Sequence, residues 1–196
     1  NTAMGMYDYR SSGTALYKQG SFANGSVMRV ASIGLVFCNH KNNDELLYNA
    51  AYAASMSTHV HPEAVDGAFI QAKAVAHLCQ TQVDQLDMNQ FIQMLSDSCR
   101  TETLREQIKR VQTALVQDWS MERVIQECVF NQVFGEGFQI KAIDALACVL
   151  YIFAKYYQQP ELCIVKMVSM GGDADTTGAI IGALIGALHG TSYLPA

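Results

Sequence analysis

Apolar residues recur at three- and four-residue spacing along almost the whole chain, and only three prolines interrupt its 196 residues. That period gathers apolar side chains on one face of a helix, whereas a half-buried strand alternates them. Few forced breaks and one sustained period predict an essentially all-α architecture. Half of the residues are hydrophobic (50%), enough for a sizeable core, and the length predicts a single domain. No internal repeat or low-complexity linker divides it.

Residues 1–26 mix Gly, Ser, Asn and Tyr without a sustained period and read as loop, with one helical turn near Thr14. Helical patterning begins near Met28 in "VMRVASIGLVFCN". It continues over 44–57, with Asp44 as the N-cap candidate, and over 62–80, opened by Pro62. Amphipathic helices are expected over 88–100, 102–116 and 121–130. Two glycines in "NQVFGEGFQIKA" then break the pattern. A long apolar helix is expected over 140–157, a short one over 160–168, and a last one after a glycine-rich acidic turn.

Thirteen basic against eighteen acidic residues give a net charge of −5. The longest basic passage, "RTETLREQIKR", is interleaved with Glu102 and Glu106 and reads as a solvated helix face. With no stripe able to track phosphates, nucleic acid is not an expected partner. Cys38, Cys79, Cys99, Cys128, Cys148 and Cys163 are scattered without CxxC spacing and fall mostly in apolar helical patterns. Reduced, buried thiols point to a cytoplasmic protein, with the nucleus as the alternative. That usage outweighs the glycosylation-like "NGS" at 24–26. No signal peptide is visible, and the most apolar stretch, 179–188, is about half the ~20 residues of a membrane span, so no membrane partner is expected. The chain begins at Asn1 and reads as a processed or partial piece of a longer protein.

The densest chemistry lies in "GGDADTTGAIIGALIGALHG", residues 171–190. Gly171 and Gly172 permit backbone angles that other residues resist. Asp173 and Asp175 would stand about 200° apart on a regular helix, so a shared target requires a turn. With the Thr176 hydroxyl they offer hard oxygens suited to Mg²⁺ or Ca²⁺, while the lack of nearby Cys or a His pair disfavours zinc. The competing reading is helix capping, for which one aspartate suffices. Gly178, Gly182, Gly186 and Gly190 form a smooth stripe with Ala179, Ala183 and Ala187. Such a stripe predicts close approach of a neighbouring helix, which would offset up to ~1 kcal/mol lost at each interior glycine.

Three further segments are ambiguous by themselves. "GSFANGSVMR", residues 20–29, combines flexible backbone, hydroxyls, an amide and a ring, and fits either a ribose- or phosphate-wrapping loop or an ordinary turn. "STHVHPEAV" places His59 and His61 before a helix; a loop histidine or a donor to an anionic ligand is the better reading than a metal pair. "FGEGF", residues 134–138, fits a helix terminus or a pocket wall.

In their order and spacing, "GSFANGSVMRVASIGL", "STHVHPEAV", "FGEGFQIKAIDALACVLYIF" and "GGDADTTGAIIGALIGALHG" resemble the ADP-ribosylglycohydrolase family over residues 14–190. The first and last segments are the most specific. The resemblance implies a compact all-α fold, in which residues 1–196 form the C-terminal portion of one domain. It implies two Mg²⁺ ions in a cleft that hydrolyses the bond between ADP-ribose and a protein side chain or another ADP-ribose unit. On this reading Asp173, Asp175 and Thr176 match the C-terminal metal ligands. Ser21, Phe22, Asn24 and Gly25 match the loop on the phosphates and ribose, His59 matches the cleft histidine after Thr, and Gly135 and Gly137 match a glycine turn lining the pocket. Tyr17 is a looser match for an aromatic that stacks on adenine.

The sequence departs from the family pattern in one large respect. The "GDALG"-like and "DDT"-like stretches, which the resemblance would have supply the other metal ligands and an acidic catalytic residue, do not occur in these 196 residues. The catalytic residue is therefore expected in an N-terminal segment, which becomes an expected partner beside ADP-ribose or an ADP-ribosylated protein. A smaller departure is Glu136 where an Asn is common. Two readings compete with a hydrolase: a non-catalytic ADP-ribose-binding module and a crystallin-like structural relative.

Overall fold

The computed structural model describes residues 12–14, 17–129 and 140–191, and these build helices with no strand among them. A short 3-10 segment, Asn24–Arg29, leads into α1 (Ala31–Val36). Then come α2 (Asp44–Ser55), α3 (Pro62–Leu78), α4 (Met88–Ser98), α5 (Glu102–Val116) and the single turn α6 (Met121–Val124). Beyond 139 follow α7 (Ala142–Tyr156), α8 (Pro160–Val168) and α9 (Ala174–His189).

Helix termini differ from the sequence expectations in instructive ways. The cap of α2 is Asn43, whose Oδ1 accepts from Leu46 N at 3.1 Å, so Asp44 lies one residue inside. Asp44 is instead ion-paired to the buried Lys73 of α3. The helix expected over 121–130 stays α-helical for one turn and widens into a π-helical stretch, Ile125–Val129. By contrast α5 and α8 match the periodicity reading at both ends.

Two helices are apolar nearly all round and form the centre, as such helices must. In α3 every residue but Pro62, Glu63 and His77 is buried, and in α7 burial is continuous from Ala142 to Phe153. α1, α2, α4, α5, α7 and α9 all pack on α3, while α5, α8 and α9 also pack on α7. The aromatic contacts Phe91 with Phe153 and Tyr48 with Phe69 tie α4 to α7 and α2 to α3.

α1 approaches α3 closely at Gly34. A Cβ there would stand 2.5 Å from the Ala72 carbonyl oxygen and 2.6 Å from Val75 Cβ, both on α3. The C-terminal stripe behaves differently from its expectation. A Cβ at Gly178 would meet Val168 at 3.2 Å, but one at Gly182, Gly186 or Gly190 would meet nothing within 4 Å. What buries α9 is its opposite face, Ile180, Ile181, Leu184, Ile185 and Leu188.

The buried acids of this core have distinct roles. Asp66 on α3 accepts from the backbone N–H groups of Arg100 and Thr101 and from the Thr101 hydroxyl, so a side chain from another helix satisfies the start of α5. Asp144 on α7 has Gln107 Nε2 at 3.3 Å, and burial pushes its carboxyl up to about 6, with Lys141 and Arg110 opposing and Glu63 adding to the shift. An acid whose folded-state pKa is raised destabilises the fold once pH rises above its unfolded value, and fully so above about 6. Asp144→Asn keeps the acceptor without the charge. It is expected to stabilise the protein by about 2–3 kcal/mol at pH 8 and far less at pH 4; urea unfolding at the two pH values reads the difference.

No described helix is long and apolar enough to cross a membrane. Cys99, Cys148 and Cys163 are buried thiols outside any disulfide, with Cys99 and Cys163 pushed up to about 12 by burial. Cys38 and Cys79 are half-buried free thiols.

Candidate functional site

The loop at 20–25 is fixed from both sides. Gly20 has φ of +79°, and a Cβ there would stand 2.5 Å from Val60 and 2.7 Å from His61 N, so only glycine meets both demands. On its other side the loop pairs with the start of α7: Asn24 N donates to Ile140 O at 2.9 Å and Ala142 N donates to Phe22 O at 3.0 Å. The Ser21 hydroxyl accepts from Ala23 N at 3.2 Å, and buried Ser26 donates to Ala64 O at 2.9 Å. These contacts leave Phe22 exposed, edge-on to His61 and 5.8 Å beneath the Lys141 ammonium.

The acidic turn opens α9. Gly171 and Gly172 have φ of +76° and +69°, left-handed angles that reverse the chain out of α8. Asp173 holds the N-cap position, yet its side chain makes no capping hydrogen bond. Its Oδ2 accepts instead from Asn24 Nδ2, a contact between residues 149 apart in sequence. The capping reading therefore fails for Asp173. Hydrogen bonding with Asp173, and with the backbone N–H groups of Thr176 and Asp175, holds the Asp175 carboxyl below the usual carboxylate range. Buried Thr176 turns its hydroxyl toward Met28 Sδ at 3.6 Å, joining the turn to the 3-10 segment a second time.

His59 closes the loop's remaining side. Its Cε1 and Nε2 lie 2.8 Å from where a Gly25 Cβ would stand. Burial and the Arg29 cation hold its imidazole below the ordinary histidine range. His61 is structural, its Nδ1 accepting from Glu63 N at 3.3 Å to cap α3. Gly25→Ala is expected to displace the His59 ring while changing stability by under ~1 kcal/mol, since the methyl meets a half-buried side chain and no backbone. A shift of the His59 imidazole NMR signals without a loss in thermal midpoint checks it.

The contacts thus link Asn24 to Asp173, Gly25 to His59 and Thr176 to Met28, with Asp175 beside Asp173 and with Ser21 and Phe22 on the same loop. Tyr17 is 62% exposed three residues before Gly20 and makes no packing contribution to the core. Gly135 and Gly137 lie outside the described residues. Arg29, Thr58 and Lys141 were not singled out from the sequence. They are isolated polar residues, and only the fold sets them beside the loop.

Two carboxyl groups of one turn, followed by a hydroxyl, at the positive end of a sixteen-residue helix make a hard-oxygen donor set. That set fits Mg²⁺ or Ca²⁺. Among the described residues no third acidic, histidine or cysteine side chain joins the pair. The rest of a near-octahedral shell would fall to water, to ligand oxygens or to groups outside the described residues.

In an all-α arrangement of described elements, the Asn24 to Asp173 hydrogen bond ties a glycine-serine loop to an aspartate-rich helix start. A family model described as ADP-ribosylglycohydrolase matches residues 1–196, and the chain belongs to that family. It is 27% identical over 203 residues to the ADP-ribosylhydrolase ARH3 of Bos taurus, covering 90% of this chain and 52% of that protein. It is 26% identical over 192 residues to the ADP-ribosyl-[dinitrogen reductase] glycohydrolase of Rhodospirillum rubrum, covering 96% and 53%. A similar match, 27% over 183 residues, is to the uncharacterized protein YegU of Escherichia coli, covering 87% and 51%. The chain spans about half the length of the curated relatives it matches.

Proposed function

We propose that this chain carries the ADP-ribose-binding part of a Mg²⁺-dependent hydrolase that removes ADP-ribose from a modified protein or from an ADP-ribose polymer. The observation that carries the reading is the Asn24 to Asp173 hydrogen bond, which ties the loop at 20–25 to the acidic turn at the start of α9. The chemistry of the two sides differs in the sense such a ligand requires. Around the loop stand Lys141 and, with Arg29 behind it, His59, suited to a diphosphate. Across it stand Asp173, Asp175 and Thr176, suited to a cation that holds ribose hydroxyls.

On this reading the loop at 21–25 grips the diphosphate and inner ribose, and the Phe22 ring offers an exposed face beside them. Asn24 keeps the loop in register with the turn, so that the phosphate grip and the metal ligands cannot move independently. Asp173, Asp175 and Thr176 would hold part of a two-Mg²⁺ centre. When bound, Mg²⁺ there would supply Lewis-acid chemistry toward ribose hydroxyls and a water, with Asp173, Asp175 and Thr176 as its ligands from this chain. The acid or base acting on the scissile bond would come from outside residues 1–196, and the isolated chain is expected to bind without full turnover.

A second reading, a non-catalytic ADP-ribose-binding module, draws on the lack of a third metal-binding side chain beside Asp173 and Asp175 among the described residues. Calorimetry of the 196-residue chain with ADP-ribose, with and without MgCl₂, separates the two. Binding that tightens strongly with Mg²⁺ supports the hydrolase, Mg²⁺-independent binding supports the module, and no binding in either buffer refutes both.

A further inference from the structure

Two side chains beside the cleft, Arg29 and Thr58, converge on a single atom, Nδ1 of His59. The Thr58 hydroxyl lies 2.7 Å from it and Arg29 Nη2 lies 3.4 Å from it, while the same guanidinium donates to Thr58 Oγ1. A guanidinium has donors and no acceptor. A proton on Nδ1 would face the Arg29 N–H groups and their positive charge. An unprotonated Nδ1 instead accepts the Thr58 proton, which is free to turn there because Arg29 already occupies the other side of that oxygen.

A neutral imidazole with a bare Nδ1 carries its proton on Nε2. That edge of the ring is the one lying against Gly25, at the 2.8 Å approach that only a glycine tolerates. The bonds run in one direction, from guanidinium to hydroxyl to Nδ1, and the last donor left over is Nε2–H at the ligand loop. His61, two residues on, is turned to Phe22 and to the α3 backbone, so among the described residues Arg29 is the charged group facing the His59 ring.

We propose that Arg29 and Thr58 are positioning residues that lock His59 as its neutral Nε2–H tautomer, giving the loop at 21–25 a directed donor for a phosphate oxygen of its ligand. The ligand part of this proposal rests on the ADP-ribose reading; the tautomer part stands on the contacts among Arg29, Thr58 and His59. A neutral donor backed by a permanent cation holds its hydrogen bond at a constant strength across the range in which a free histidine would titrate.

The test uses the ¹⁵N-labelled 196-residue chain and long-range ¹H–¹⁵N imidazole spectra, with ADP-ribose affinity measured by calorimetry on the same samples. His59 is expected to show the Nε2–H pattern at pH 7. Arg29→Ala and Thr58→Val should each convert it to a tautomer mixture and weaken ADP-ribose by about fivefold, and Thr58→Ser should restore both. Because both side chains are exposed, thermal midpoints should hold. An Nδ1–H pattern in the parent chain, or a pattern unmoved by Arg29→Ala and Thr58→Val, overturns the proposal. If the Nε2–H pattern is present and lost in the variants while the parent chain binds no ADP-ribose, the positioning role is supported and the ADP-ribose reading falls.

Discussion

Gly34→Ala is expected to lower the unfolding free energy by about 3 kcal/mol, as a drop in the urea midpoint with an unchanged slope. The methyl would press on the Ala72 carbonyl at 2.5 Å and on Val75 at 2.6 Å, and the first of these is backbone in the middle of the most buried helix. Neither neighbour can swing aside, so α1 would have to lift away from α3. α1 directly follows the 3-10 segment that carries Asn24 and Arg29, and the same change should therefore loosen the ligand loop. Gly182→Ala and Gly186→Ala provide the contrast. Their new methyls meet nothing within 4 Å, and each should be neutral or stabilising by up to ~1 kcal/mol. Destabilisation by the stripe variants and tolerance at Gly34 would reverse this picture.

Asp173→Ala is expected to abolish the coupling between Mg²⁺ and ADP-ribose. The substitution deletes one of two adjacent carboxyls and at the same time releases the Asn24 amide from its cross-link. In the parent chain Mg²⁺ should tighten ADP-ribose by ~10-fold or more, about 1.4 kcal/mol, and in the variant by less than twofold. The fold should survive, because the Asp173 side chain makes no capping bond to α9 and the helix is held by its Ile and Leu face. Calorimetry at matched ionic strength reads the coupling, and circular dichroism reads the fold. Coupling that persists in Asp173→Ala would remove this residue from the metal site.

Periodicity made the helices legible because each is a local pattern: α5 and α8 end where their apolar period ends. What periodicity does not carry is which faces meet. Four glycines in register suggested a tight helix contact in α9, yet the tight contact belongs to the single Gly34 in "ASIGLV", where the crossing of α1 over α3 sets the distance. The metal turn and the ligand loop were legible as donor sets, but the Asn24 to Asp173 bond is not, since nothing local to either residue refers to one 149 positions away. Arg29 and Thr58 were hidden for the same reason: an isolated arginine and a loop threonine acquire meaning only from the histidine ring between them.

Amide chemical shifts of the ¹⁵N-labelled chain, followed while ADP-ribose is added in the presence of MgCl₂, test whether the loop and the acidic turn are one ligand cleft. Residues 20–25 and 171–176 should shift together and saturate with a single apparent Kd. Shifts confined to one of the two segments, or centred on the surface groove between α4 and α5 lined by Ile92, Met94 and Leu115, would contradict it.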